Sequence, residues 1–180
     1  PLLEHFWDTS TRRALAMSHI ARQLYCVDPG LAYTCGLFCH VGIPILMQGV
    51  SGYSGTLAEA LARQDRSCTD TENAAHKTDH AVVGALVGRT WRLPATLYQA
   101  VRLHHDFSVL NDKNFSADVR TLVAIALIAE YLVALHEGVK THKEWAQYGP
   151  ACLSYLNVTN GEIEIWADAL KGPFESVTGA

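Results

Sequence analysis

Between Phe6 and Leu24, apolar side chains return every three or four residues, at Phe6, Ala14, Met17, Ala21 and Leu24. Small Ser10 lies between them, and Arg12, Arg13 and Arg22 fall largely on other faces. That period predicts an amphipathic helix. Asp28 before Pro29 sets a side-chain acceptor ahead of a residue without an N–H, which predicts a helix running toward Cys39 and His40. Gly42 and Pro44 are expected to break it. Further helices are predicted from about Thr56 to Gln64 and from Asp79 to Trp91, with Asp65 to Thr71 as a polar loop. Pro94 suits the first turn of the next helix, which carries Ala100, Val101 and Leu103 up to His104 and His105. Asp106 to Phe115 reads as a loop. Ser116 is expected to cap a nearly all-apolar helix to about Glu137, with Gly138 as its left-handed exit. Thr141 with Glu144, and Thr159 with Glu162, have the spacing of a capping box and predict two more helices, the last stopped by Gly172 and Pro173. No long period-two alternation and no internal repeat interrupts this series, so the class is all-α, a compact multi-helix domain.

Composition narrows the picture. With 180 residues, 49% apolar and 18% charged, the chain is lean in charge against the roughly 25% of an average globular protein. It reads as one domain over residues 1–180 with a substantial core. The net charge of −4 removes the broad basic field that binding to a phosphate backbone needs, so nucleic acid is not expected as a partner. Five cysteines (Cys26, Cys35, Cys39, Cys68, Cys152) are an odd set in a chain with this much core, which favours reduced thiols and a cytoplasmic setting. The richest apolar run, Leu122 to Leu135, carries Glu130 and suits a buried helix better than a membrane span. Because residue 1 is proline and no signal-peptide pattern follows, the chain is expected to be a piece of a longer protein.

Several motifs carry little chemistry. Gly49, Gly52 and Gly55 lack the Gly-Lys-Ser/Thr and the preceding strand of a phosphate-binding loop, and neither Ser51 nor Ser54 sits in a nucleophile elbow. The Asn157-Val158-Thr159 sequon has no role in a reducing compartment. Cys35, Cys39 and His40 lie in an apolar run without a second cysteine pair, which favours buried free thiols over zinc. The histidines are more informative. His40 ends one predicted helix, His80 opens another, and His104 and His105 end a third, so four imidazoles from three helices can converge. Neutral imidazole ligates Zn, Fe, Ni or Cu, but hydrogen-bonded structural histidines fit the same spacing. His76 precedes His80 by four residues yet belongs to a different segment.

An ordered set of residues goes further. Phe6-Trp7 with Ser10 and Ala14, Gly36-Leu37-Phe38-Cys39-His40-Val41-Gly42, Glu72, Asp79-His80 with Gly84-Ala85, Trp91-x-Leu93-Pro94, and Ala100 to His104-His105 together resemble an HDOD domain. That is the HD-related output domain of bacterial signalling proteins, similar in its helical core to HD and HD-GYP phosphohydrolases. Such domains generally carry a helical segment before the Phe-Trp motif. The resemblance implies a metal site reduced to a remnant: His40, His80, His104 and His105 match ligand histidines, and Glu130 lies near the expected late aspartate. Thr9 stands where an early histidine is expected, and Val41 replaces the aspartate of the His-Asp doublet. Two divalent ions about 3.5 to 4 Å apart need an anionic oxygen bridging them, and an isopropyl group supplies none. The resulting expectation is a non-catalytic signalling domain without a cofactor, whose partner is another signalling protein or domain and which can form homo-oligomers. Retained histidines would then cap helix ends. The alternatives are a phosphohydrolase with a single divalent transition metal, and a nucleotide sensor in which Arg102 or Lys113 meets phosphate. Trp7 and Trp145 are expected in the core rather than at an interface.

Overall fold

A computed structural model describes residues 2–177. Ten α-helices and one 3-10 turn make up the architecture among the described residues, with no strand. The helices are α1 (Leu2–Leu24), α2 (Pro29–Phe38), α3 (Gly42–Gly49), α4 (Tyr53–Ala62), α5 (Cys68–His76), α6 (His80–Thr90), α7 (Ala95–Leu103), α8 (Ala117–His136), α9 (Lys143–Leu156) and α10 (Asn160–Glu175), and the 3-10 turn spans Phe107–Asn111. The all-α expectation holds.

At the centre lies α8, whose residues from Val119 to Ala129 are almost all buried. By length and composition α8 is apolar enough to cross a membrane, but 72% of that stretch is buried inside the protein. Pro29–Gly49, which passes the same test, is two helices divided by a turn. Around α8 pack α1, α7, α9 and α10, while α1 also lies along α2 and α6 lies on α3 and α7. Met17, Ile20, Leu97, Leu122, Ile125, Leu132, Trp166 and Phe174 belong to one core cluster; Phe107, Val109, Leu110, Leu127 and Cys152 form a second at the 3-10 turn. Two glycines fix how near the helices come. A Cβ on Gly36 would lie 2.6 Å from the Ala14 Cα, and one on Gly42 would lie 2.1 Å from the His80 carbonyl oxygen.

Local chemistry explains most boundaries. Asp28 accepts from the Leu31 N–H, Asp79 from Val82, and Ser116 from Val119, each closing an open helix start. Thr159 and Glu162 form a complete capping box, and Gly138 takes φ +73 as α8 ends.

Six expectations are corrected. Gly42 and Pro44 do follow a break, at Cys39 to Val41, but α3 begins at once; Pro44 sits in its first turn, where a missing N–H costs nothing. α4 starts at Tyr53, ahead of the expected Thr56. The segment expected as a loop over Asp65 to Thr71 holds the start of α5, capped by Ser67 accepting from Asp70; with only Thr71 and Glu72 buried, it has no apolar stripe to announce it. Asp106 to Phe115 contains the 3-10 turn that buries Phe107, Val109 and Leu110. At α9 the cap is His142, which accepts from Trp145, and Glu144 is turned elsewhere. Pro173 does not stop α10, which runs on to Glu175; the carbonyls that Pro150 and Pro173 leave without helical donors belong to exposed Ala146 and Ala169, where water can pair them.

Candidate metal centre and cleft

All four histidines singled out in the sequence meet. His40 sits in the turn between α2 and α3, His80 is the first residue of α6, and His104 and His105 end α7. One ring nitrogen from each lies within 4.8 Å of one from every other. His40, His80 and His105 line a cleft of about 940 Å³, together with Arg13, Glu130 and Glu144. The cleft walls are largely apolar, from Phe6, Ile43, Met47, Leu57, Tyr131 and Trp145. His76 stays apart and bonds Thr56. Cys35 and Cys39 remain in the core, their sulfurs 3.9 Å apart.

The rings are aimed by their neighbours. His80 Nδ1 donates to Glu72 Oε2 at 2.7 Å, His105 Nδ1 donates to Glu144 Oε1 at 2.7 Å, and His104 Nδ1 donates to the Val101 carbonyl at 2.6 Å. The last bond is the helix-end cap expected of a retained histidine. Each of these three imidazoles therefore presents Nε2. Second-layer acceptors of this kind set the tautomer and raise ligand basicity in metal centres. Glu72 is wholly buried and also accepts a short hydrogen bond from the Tyr53 hydroxyl. Between His80 Nε2 and His105 Nε2 the gap is 3.0 Å. Two lone pairs repel at that distance, so the contact suits a proton shared by the rings, or one ion ligated by both nitrogens from the side.

Charge is distributed unevenly over the cluster. Burial, reinforced by the Arg13 guanidinium and the other rings, holds His40 well below the usual imidazole value. Burial and the adjacent His105 do the same to His104. For His105 burial also opposes the charge, but the Glu144 carboxylate outweighs it and the net direction is upward. Glu144 is correspondingly held below its ordinary value, although burial alone would raise it.

The residue missing from the sequence reading is Arg13. Only 2% exposed, it makes a short ion pair with Glu130, donates to the Gly36 carbonyl at 3.2 Å, and donates to His40 Nδ1 at 3.0 Å. His40 must accept there, so its neutral form carries the proton on Nε2, which lies 3.4 Å from Glu130 without completing a hydrogen bond. A signal was readable. Although the arginines of this helix are expected largely off the apolar face, Arg13 is three residues after Ser10 and four before Met17, which sets it on the apolar stripe itself. Glu144 was masked by its capping-box spacing.

These residues fit one metal ion. His80, His104 and His105 offer three oriented Nε2 donors, and His104 Nε2 is buried without any hydrogen-bond partner. They do not fit two. At 4 Å, two divalent ions repel by roughly 16 kcal/mol even at an effective dielectric constant near 20, which requires a bridging anion. Glu72 and Glu144 are bonded to ring Nδ1 atoms and Glu130 is held by Arg13. Val41 does not line the histidine cleft at all. Its side chain lines a separate apolar groove of about 430 Å³ with Trp7, Pro44, Ile45, Leu86 and Trp91. Thr9 lines the cleft, whereas neither Arg102 nor Lys113 does. Trp145 stacks on Tyr131 at 4.2 Å as a packing residue, but Trp7 is 50% exposed on the groove, against expectation.

Comparison with known proteins gives the frame. No curated protein matches the chain. Among solved structures, a candidate phosphohydrolase from Shewanella amazonensis superposes with a TM-score of 0.74 at 18% identity, covering 97% of this chain and 62% of its own. An HDOD domain protein of unknown function from Geobacter sulfurreducens gives 0.65 at 16% identity, covering 97% and 60%. The MmoQ response regulator of Methylococcus capsulatus gives 0.62 at 18% identity, covering 90% and 59%. This chain thus spans about three fifths of the length of these proteins, and at such identities the likeness establishes the fold alone. The HDOD domain profile matches residues 1–107, the part that supplies Arg13 and all four clustered histidines, and the chain belongs to the HDOD domain family.

Proposed function

We propose that this chain is a non-catalytic signalling domain that works through contacts with another protein or domain. The observation that carries the reading is the buried guanidinium of Arg13, paired with Glu130 and bonded to His40 inside the histidine cluster. A hydrolytic two-ion centre needs those groups free and a carboxylate bridge. Supporting a contact role, Trp7, Ile45, Leu86 and Trp91 are all at least two-fifths exposed and gather on the groove that Val41 lines. An exposed apolar patch of this kind is a surface through which proteins dock. The turn at Cys39 to Val41 joins that groove to the cleft, so a change at either face is communicated through α3 by a rigid shift of the helix. The working setting is the cytoplasm, with a signalling protein or a second copy of the chain as partner.

Three oriented imidazoles favour one competing reading, a phosphohydrolase with a single transition metal held by His80, His104 and His105. Such an ion would lower the pKa of a bound water and polarise a phosphoryl oxygen. The two readings separate in one experiment. Highly purified protein, loaded with Zn²⁺ or Mn²⁺, is assayed against cyclic dinucleotides and simple phosphoesters beside His104→Ala. Equal background rates in both proteins are expected; hydrolysis that His104→Ala abolishes would overturn the non-catalytic reading.

A further inference from the structure

We propose that Arg13 is a built-in cation that takes the place of a second metal ion and limits the histidine cluster to one. The inference rests on the cluster being able to hold an ion, and it stands whether or not that ion supports turnover. Arg13 engages three separate acceptors through Nε and both terminal nitrogens: Glu130, the Gly36 carbonyl and His40 Nδ1. A guanidinium has donors only, so the lone pair it occupies on His40 is one that a second ion would need. The carboxylates lining the cleft among the described residues are likewise engaged. Glu137 accepts from Arg12 at 3.3 Å and from Thr9 at 3.5 Å, Glu144 accepts from His105, and Glu130 is paired with Arg13.

A second ion approaching the cluster therefore finds one imidazole and one carboxylate, both already bound to a fixed positive charge. That charge cannot be drawn off to another acceptor, because Nε and both terminal nitrogens are already spent on Glu130, Gly36 and His40. Nor can it swing out. Its helix is pressed onto α2 where Gly36 lets the Ala14 backbone approach, and the side chain is almost completely enclosed. The guanidinium thus neutralises Glu130 and orders His40, as a second ion would, while adding only one unit of charge beside the remaining rings.

The test is a metal count. Wild-type protein, Arg13→Gln, Arg13→Lys and the double variant Arg13→Gln with Glu130→Gln are dialysed against Zn²⁺, and in a second series Mn²⁺, and analysed for bound metal, with circular dichroism to verify folding. Wild type is expected to bind no more than one equivalent. Arg13→Gln, which releases Glu130 and His40, is expected to bind one equivalent more than wild type; the double variant should lose that gain, and Arg13→Lys should keep the wild-type count. An Arg13→Gln count equal to wild type would show that the guanidinium only supports the fold, and would overturn the assignment. If Arg13→Gln does not fold, the wild-type count still decides: two equivalents, one of them lost on His40→Ala, would overturn it. Phosphoester turnover by one-ion wild-type protein would refute the non-catalytic reading and leave this assignment standing.

Discussion

Adding one methyl group at Gly42 should disturb both the fold and the histidine cluster. A Cβ there would meet the His80 carbonyl oxygen at 2.1 Å, with the His80 carbonyl carbon at 2.8 Å and its Cα at 2.9 Å. Reaching an ordinary contact of about 3.4 Å means moving α3 and α6 apart by about 1.3 Å, a gap no rotamer can absorb because the obstacle is backbone. Overpacking typically costs about 1–3 kcal/mol, and a backbone obstacle belongs at the upper end. For a domain of this size each kcal/mol moves Tm by roughly 2–4 °C, so Gly42→Ala should melt about 6–12 °C lower. His80 rides on the displaced segment, so its 3.0 Å contact with His105 should open. Gly55→Ala is the matched control, since its Cβ would meet nothing within 4 Å inside α4 and should stabilise by up to roughly 1 kcal/mol. Thermal unfolding followed by circular dichroism reads both. If Gly42→Ala melts within 2 °C of wild type, the close approach of α3 and α6 described above is wrong.

Other outcomes follow from single contacts. Tyr53→Phe removes a donor from the wholly buried Glu72 carboxylate and should cost about 1.5–3 kcal/mol by urea denaturation; a change below half of that would mean the hydroxyl bond contributes little. His142→Ala should destabilise by about 1 kcal/mol through the lost cap of α9, whereas Thr141→Ala should be nearly neutral; the reverse order would restore the capping box that the sequence suggests. The pH dependence has two limbs. His40 and His104 are depressed in the folded state, so the stability they contribute is complete above 6.5 and is lost as pH falls toward their folded values. His105 is raised, so its contribution is complete below 6.5 and is lost as pH rises through its folded value. Urea midpoints from about pH 5 to 8 should therefore lose their alkaline decline in His105→Gln and part of their acid decline in His104→Gln; profiles parallel to wild type would contradict these assignments.

Helix starts were readable wherever a side chain acts on its own backbone. Asp28, Ser116 and Thr159 cap as their spacing predicts, and Asp79, expected as a helix start, caps its own helix, because a cap is a contact over three residues and needs no tertiary partner. The same rule misled at Thr141, where the Glu144 carboxylate gains more from the buried, positively inclined His105 than from a solvent-exposed helix end. Prolines misled in the other direction. Pro44 and Pro173 look like stops, but Pro44 sits in the first turn of α3, where no donor is missed, and the carbonyl lost at Pro173 lies at an exposed residue. α5 was invisible because a short polar helix has no apolar period; Glu72 buries for the sake of His80 and Tyr53, which no local pattern encodes.

The sequence by itself determined the helical class, most of the caps, and the placing of His40, His80, His104 and His105 at helix ends where they can meet. These properties follow from periodicity and from contacts within one turn. Tertiary structure alone decided what the meeting means. It buried Arg13 against His40 and Glu130, set Glu72 and Glu144 behind two of the rings, and turned Val41 away from the cleft into an apolar groove. Those arrangements join residues from eight to more than a hundred positions apart, and a charge or a lone pair acquires its role only from what is packed beside it.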